Sequence, residues 1–277
     1  VLRITVMKYS EKVKQLCKEY RVYPEKTRGQ HFLIDDTYVK KMVDAAGITS
    51  NDLIVEVGSG WGILTEELAR RARKVIAIEI DEKMVGYLES SLRGGRKADE
   101  AIPSGLLRAD TIGPRNDTLQ IWHGDVRRFW DKMPTEPYHV IANIPYNITS
   151  LIIRGFLEKT PRAPEQMVLM IQNEVADRIV AKPGDMTMLS LSVQWYGTPK
   201  KIFRVPRGAF WPPPAVDSAV IQITTIKRPP PEETKAVLTL AKRAFLNKRK
   251  QLASSLGVTS TARPQELSIA DWRALSQ

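Results

Sequence analysis

Cysteine is almost missing from this chain. Cys17 is the single cysteine in 277 residues, so neither an internal disulfide nor a cysteine-built zinc cluster is available. Histidine is nearly as scarce: His31, His123 and His139 are scattered along the sequence, and no metal site is expected. No stretch approaches the roughly 18 consecutive apolar residues of a membrane span. The opening residues, VLRITVMKYS, lack the apolar core and small-residue cleavage site of a secretory leader. These absences point to a cytoplasmic protein in a reducing compartment, with no membrane and no metal; an organelle matrix is equally compatible.

What is present is charge, unevenly placed. The net charge is +11, on a composition 43% hydrophobic and 26% charged that is ordinary for a globular protein. Residues 1–30 carry eight Lys/Arg against three Glu, and residues 227–250 carry eight against two. Residues 31–226 are neutral overall. Two basic flanks on a neutral core suit a clamp for a polyanion, with nucleic acid the leading candidate. The chain then divides into a basic extension (1–30), a main domain (31–226) and a small helical unit (227–277) behind the stiff linker Lys227-Arg228-Pro229-Pro230-Pro231.

Within the main domain, apolar runs alternate with amphipathic stretches. Asp52 to Val57 reads as a buried strand, enters Gly58-Ser59-Gly60-Trp61-Gly62, and gives way to a helix through Ile63, Leu64 and Leu68. Strand, glycine turn and helix form a nucleotide-binding unit, because glycine lets the backbone approach a ligand and aims helix N–H groups at it. A second strand ends at Glu79, placed to accept hydrogen bonds from ribose hydroxyls or, alternatively, to cap the next helix. Residues 93–118 lack any period and read as a long insertion. A third strand closes at Asp125, an acceptor for an adenine amino group or a helix cap. About seven strands are expected, mostly parallel with the last pair antiparallel, which is an α/β sheet.

The fourth strand ends in Asn143-Ile144-Pro145-Tyr146. Pro145 has no N–H for a ladder, so Asn143 and Tyr146 fall at a strand's carboxyl end, where open α/β sheets bind ligands. An amide, a freed carbonyl and a flat ring could grip a planar amino-bearing base; the four residues could equally be a strand ending in a turn. Further on, Phe210 precedes Trp211 and three prolines, either a stiff connector or a rigid wall presenting its ring to a base. The basic run Lys242, Arg243, Lys248, Arg249 and Lys250 reads as phosphate contacts or as a solvated helix face.

Taken together, GQHFL (29–33), VEVGSGWGILT (55–65), IEID (78–81), GDV (124–126), NIPYNIT (143–149), QNEVADRIVAKPG (172–184), FWPPPAVDSAV (210–220) and FLNKRK (245–250) closely resemble one family. It is the S-adenosylmethionine-dependent rRNA adenine N6,N6-dimethyltransferases of the small ribosomal subunit, and the likeness runs from residue 26 nearly to the end. The resemblance implies a Rossmann-like methyltransferase sheet with a small helical C-terminal domain, acting as a monomer on small-subunit rRNA. It implies S-adenosyl-L-methionine held at His31, Leu33, Gly58, Gly60, Glu79, Asp125 and Asn143. The acceptor base would lie at Asn143, Ile144, Pro145 and Tyr146, with Phe210 opposite. Three departures stand out: Ser59 where the family commonly has proline, the insertion at 93–118, and a C-terminal domain that looks short. Two other readings share some motifs. The resistance enzymes of large-subunit rRNA share the fourth motif, but the QNEVADRIVAKPG and FxPPPxVDS segments side with the small-subunit group. In relatives that serve as ribosome-assembly factors catalysis is secondary; intact Gly58, Glu79, Asp125, Asn143 and Tyr146 favour a working site.

Overall fold

In the computed structural model, which describes residues 8–24, 29–92, 118–226, 228–247, 250–256 and 260–276, the chain begins with helix α1 (Tyr9–Glu19). There follow β1 (Phe32–Leu33), α2 (Asp36–Ala46), β2 (Leu53–Val57), α3 (Ile63–Arg71), β3 (Lys74–Glu79), α4 (Glu82–Leu92) and β4 (Leu119–His123). The second half runs β5 (His139–Asn143), α5 (Thr149–Glu158), β6 (Gln166–Gln172), α6 (Asn173–Ile179), α7 (Met188–Gln194), β7 (Gly197–Val205), β8 (Phe210–Trp211) and β9 (Ser218–Thr225). It closes with α8 (Pro231–Phe245), α9 (Leu252–Leu256) and α10 (Ile269–Leu275).

Seven strands form one sheet in the order β4-β3-β2-β5-β6-β9-β7. The first five are parallel; β9 lies between β6 and β7, antiparallel to both. Strand order reverses between β2 and β5, and this switch point opens a crevice at the strands' carboxyl ends. The expected seven-stranded α/β sheet is therefore present. Strand β7 starts at Gly197 and so includes Pro199. It is the edge strand, bonded only to β9, which is where a residue without an N–H is tolerated.

Every residue of β2 is buried, and its side chains alternate between the two faces of the sheet. Leu53, Val55 and Val57 join a core with Trp130, Phe156, Leu191 and Trp195, while Ile54 joins the other with Val39, Met42, Leu68 and Leu88. The flanking segments belong to these same cores. Val13, Leu16 and Cys17 of α1 pack on the second face, and Val237, Ala241, Ala244, Leu252 and Trp272 pack on the first. Arg228 of the linker donates to the carbonyls of Phe156, Leu157 and Thr160 at 2.5–3.2 Å, capping the end of α5. The insertion at 93–118, apart from Thr118, lies outside the described residues, as do Lys248 and Arg249.

Candidate active site

A cavity of about 700 Å³ opens at the switch point. The glycine loop after β2 forms its floor. Gly58 and Gly60 adopt φ of +75° and +55°, which strains any other L-residue, and a Cβ on Gly60 would lie 3.3 Å from the Phe32 ring. The loop is tied to β3 at two places. Gly58 N–H donates to the Ile78 carbonyl at 2.8 Å, and Gly60 N–H to Glu79 Oε2 at 2.7 Å. Glu79 Oε1 accepts the N–H groups of Ile80 and Asp81 at 2.7 and 2.9 Å. Burial raises the Glu79 carboxyl above the usual range, and these three N–H groups oppose the rise. Glu79 thus organises the turn and also lines the cavity, while the cap of α4 is Asp81, whose Oδ1 accepts the N–H groups of Lys83 and Met84 at 3.0 and 3.3 Å.

Asp125 also does both. Its Oδ1 caps a short helical turn by accepting the Arg127 N–H at 2.9 Å, and it lines the cavity. The Arg127 guanidinium bonds both carboxylate oxygens at 2.5–3.0 Å and, as the largest cause, lowers the Asp125 pKa. Asp125 is thus an anionic acceptor at the cavity rim.

The acceptor side is built on the end of β5. Asn143 is in register with Met170 of β6, and the Ile144 N–H makes the last ladder bond, to the Met170 carbonyl at 3.1 Å. Pro145 then stops the pairing. Asn143 Nδ2 donates to the His31 carbonyl at 3.2 Å. Only the NH2 end of an amide can do so, and among the described residues no group donates to Oδ1 of this cavity-lining side chain. Tyr146 is held at its hydroxyl, 2.6 Å from Ser218 Oγ, and its ring stacks on His31 at 5.6 Å between centroids. His31 is fixed in turn, with Nδ1–H donating to the Pro212 carbonyl at 2.8 Å.

The cavity brings together His31, Leu33, Gly58, Gly60, Glu79, Asp125, Asn143, Ile144, Pro145 and Tyr146. Phe210 is not among its lining residues. It is 2% exposed, paired with Leu33 across the two-stranded β1–β8 sheet, and belongs to the second core. The structure therefore does not bring Phe210 into the cavity with the other residues, and the ring beside Tyr146 is His31. Ser218, Pro212 and Trp61 also build the site, and sequence reasoning does not single them out. Lys242, Arg243 and Lys250 are exposed, on and after the last turn of α8.

The donor set suits a nucleoside cofactor with a polar tail. Glu79 and Asp125 are carboxyl groups of the lining able to accept from hydroxyl or amino groups, and the glycine backbone admits close approach. Ser59 Oγ is buried without a hydrogen-bond partner among the described residues, a hydroxyl left for a ligand to meet. Among the described residues no group of three or more His, Cys, Asp or Glu side chains could hold a metal, and no helix is long and apolar enough to cross a membrane.

The model of the ribosomal RNA adenine dimethylase family matches residues 24–272. The ribosomal RNA small subunit methyltransferase A of Dehalococcoides mccartyi strain CBDB1 is 36% identical, over 95% of this chain and 90% of that protein. Two solved structures share the fold. A dimethyladenosine transferase from Plasmodium falciparum has a TM-score of 0.70 at 24% identity, covering 89% of this chain and 95% of its own. The 23S rRNA methyltransferase ErmE has a TM-score of 0.66 at 23% identity, covering 88% and 98%. These two structures share the fold; the sequence similarity above 30% is to proteins named ribosomal RNA small subunit methyltransferase A.

Proposed function

Because the chain belongs to the ribosomal RNA adenine dimethylase family, we propose that it dimethylates N6 of two adjacent adenosines near the 3′ end of small-subunit rRNA, using S-adenosyl-L-methionine, during ribosome assembly. The observation that carries the reading is the Asn143 amide, fixed through its Nδ2 to the His31 carbonyl in the lining of a cavity that also takes in the glycine loop.

Glu79 would hold the cofactor's ribose and Asp125 its adenine amino group, with His31 and Leu33 along the wall. When bound, the cofactor supplies an electrophilic methyl group on a sulfonium. An adenine amine is a poor nucleophile because its lone pair is delocalised into the ring. Asn143 Oδ1 and the Ile144 carbonyl accept its two N–H groups and draw the nitrogen toward tetrahedral geometry, which localises the lone pair. A cofactor held there would supply the methyl group and keep the leaving electron pair on its sulfur, and the proton the amine sheds would pass to solvent. No strong base is needed, since the amine becomes acidic only as the bond forms. Catalysis is positioning and transition-state electrostatics. Tyr146 stacks on the unstacked base. In the second round one N–H remains, so one acceptor contact is dispensable.

The test is transfer of labelled methyl groups to immature small subunits, with the products mapped. Four methyl groups on two neighbouring adenosines are expected. Label on large-subunit RNA, or none on small-subunit RNA, overturns the proposal.

A further inference from the structure

Trp61 follows Gly60, the residue whose N–H is held by Glu79, and it is 1% exposed. Its ring packs against Tyr20 and Tyr87, with centroids 5.5 and 5.6 Å away, and its indole N–H donates to Cys17 Sγ at 3.2 Å. Cys17 lies on α1 and Tyr20 caps its end. The same helix is fixed to both neighbours of the glycine loop. Lys12 forms a buried ion pair with Glu66 in the first turn of α3, and Tyr9 Oη donates to Glu67 at 3.3 Å. On the other side Lys83 of α4 donates to the Arg21 carbonyl at 3.3 Å.

We propose that α1 is a brace that positions the cofactor loop, with Cys17 and the Lys12–Glu66 pair acting through Trp61 and α3 to set cofactor affinity. The proposal rests on the reading of the cavity as a cofactor site. The physical reason is conformational. Three glycines of the loop, Gly58, Gly60 and Gly62, sit at positive φ, and glycine has the most freedom to lose on being ordered. An unbraced loop spends less time in the binding-competent form, and apparent affinity falls in proportion to that fraction. Linkage is reciprocal, so a cofactor that selects the ordered loop must also steady α1.

The first test uses the unaltered full chain. Amide hydrogen exchange is followed with and without S-adenosyl-L-methionine. Amides of residues 12–20 are expected to slow together with those of the glycine loop, although α1 contributes nothing to the cavity lining. Protection of the loop with no change in α1 overturns the brace. The second test compares Cys17→Ala and the double variant Lys12→Met/Glu66→Gln with the parent chain. Cofactor Kd, measured by calorimetry, should weaken by about tenfold in the double variant and less in Cys17→Ala. The cofactor KM should rise with it, while kcat at saturating cofactor and RNA affinity stay unchanged. A lowered melting temperature with unchanged Kd assigns these contacts to general stability and overturns the proposal. Absence of both heat and loop protection in the parent chain removes the cofactor reading itself, a distinct failure.

Discussion

Asn143 and His31 lie 112 residues apart, yet the side-chain amide of one donates to the main-chain carbonyl of the other at 3.2 Å. The bond fixes which end of the amide is left over for a substrate. It also joins the end of a parallel strand to the segment around His31, so two parts of the cavity lining are set by one contact.

Replacing Asn143 by Ala should lower methyl transfer by about 100- to 1000-fold, the usual cost of removing one preorganised transition-state partner. RNA affinity should stay within about threefold, since that variant removes no charge. Single-turnover methylation and filter binding on the same preparation separate the two, and a variant that no longer binds RNA would make Asn143 a structural residue.

Phe210 and Tyr146 should respond differently. Phe210→Leu keeps most of a buried volume and should retain near-parental methylation, whereas Phe210→Ala should lose about 3–5 kcal/mol of stability. Tyr146→Ala should cost about 1–3 kcal/mol of stacking on the target base, read as a higher RNA KM or lower kcat. A large activity loss in Phe210→Leu at unchanged melting temperature would return that ring to the base-binding wall.

Glu56 is buried beneath the glycine loop, where it accepts the Thr65 hydroxyl at 2.6 Å. Burial, with Glu79 nearby, pushes its pKa up from 4.5 to about 8. The sign follows from proton counts. Between those values the unfolded chain has released the proton and the folded chain keeps it, so stability falls as pH rises through that window, by about 1.4 kcal/mol per unit at most. Glu56→Gln keeps an acceptor for Thr65 and cannot ionise. Its melting temperature should depend less on pH between 5 and 8 and exceed the parent's at the alkaline end; parallel curves would refute this.

Neutralising Lys242, Arg243 and Lys250 to Gln should weaken RNA binding and reduce its salt slope by about 0.7–0.9 for each phosphate no longer neutralised. An unchanged slope makes the run a solvated helix face.

Much of this architecture is legible in the residue string because it is periodic. β3 and β6 carry continuous apolar runs, β2 one broken only by Glu56, and the glycine loop and Asn143 punctuate two strands at their carboxyl ends. What is not legible has no period. β1 and β8 are two residues each, too short for alternation to show, and it is their pairing that buries Phe210. Lys12 counts as one more positive charge in the sequence, whereas the fold buries it against Glu66. Ser218 reaches Tyr146, 72 residues away, through sheet topology that no local pattern encodes.

Arg228 has a final consequence. Its three bonds to the carbonyls ending α5 deny the linker the freedom of a hinge, and α5 begins three residues after Tyr146. These bonds and the shared core hold the exposed cations of α8 at a set offset from the Asn143 end of the sheet. If RNA is gripped at those cations, the protein measures along the RNA as a caliper does, and the adenosine modified is the one lying at that fixed span.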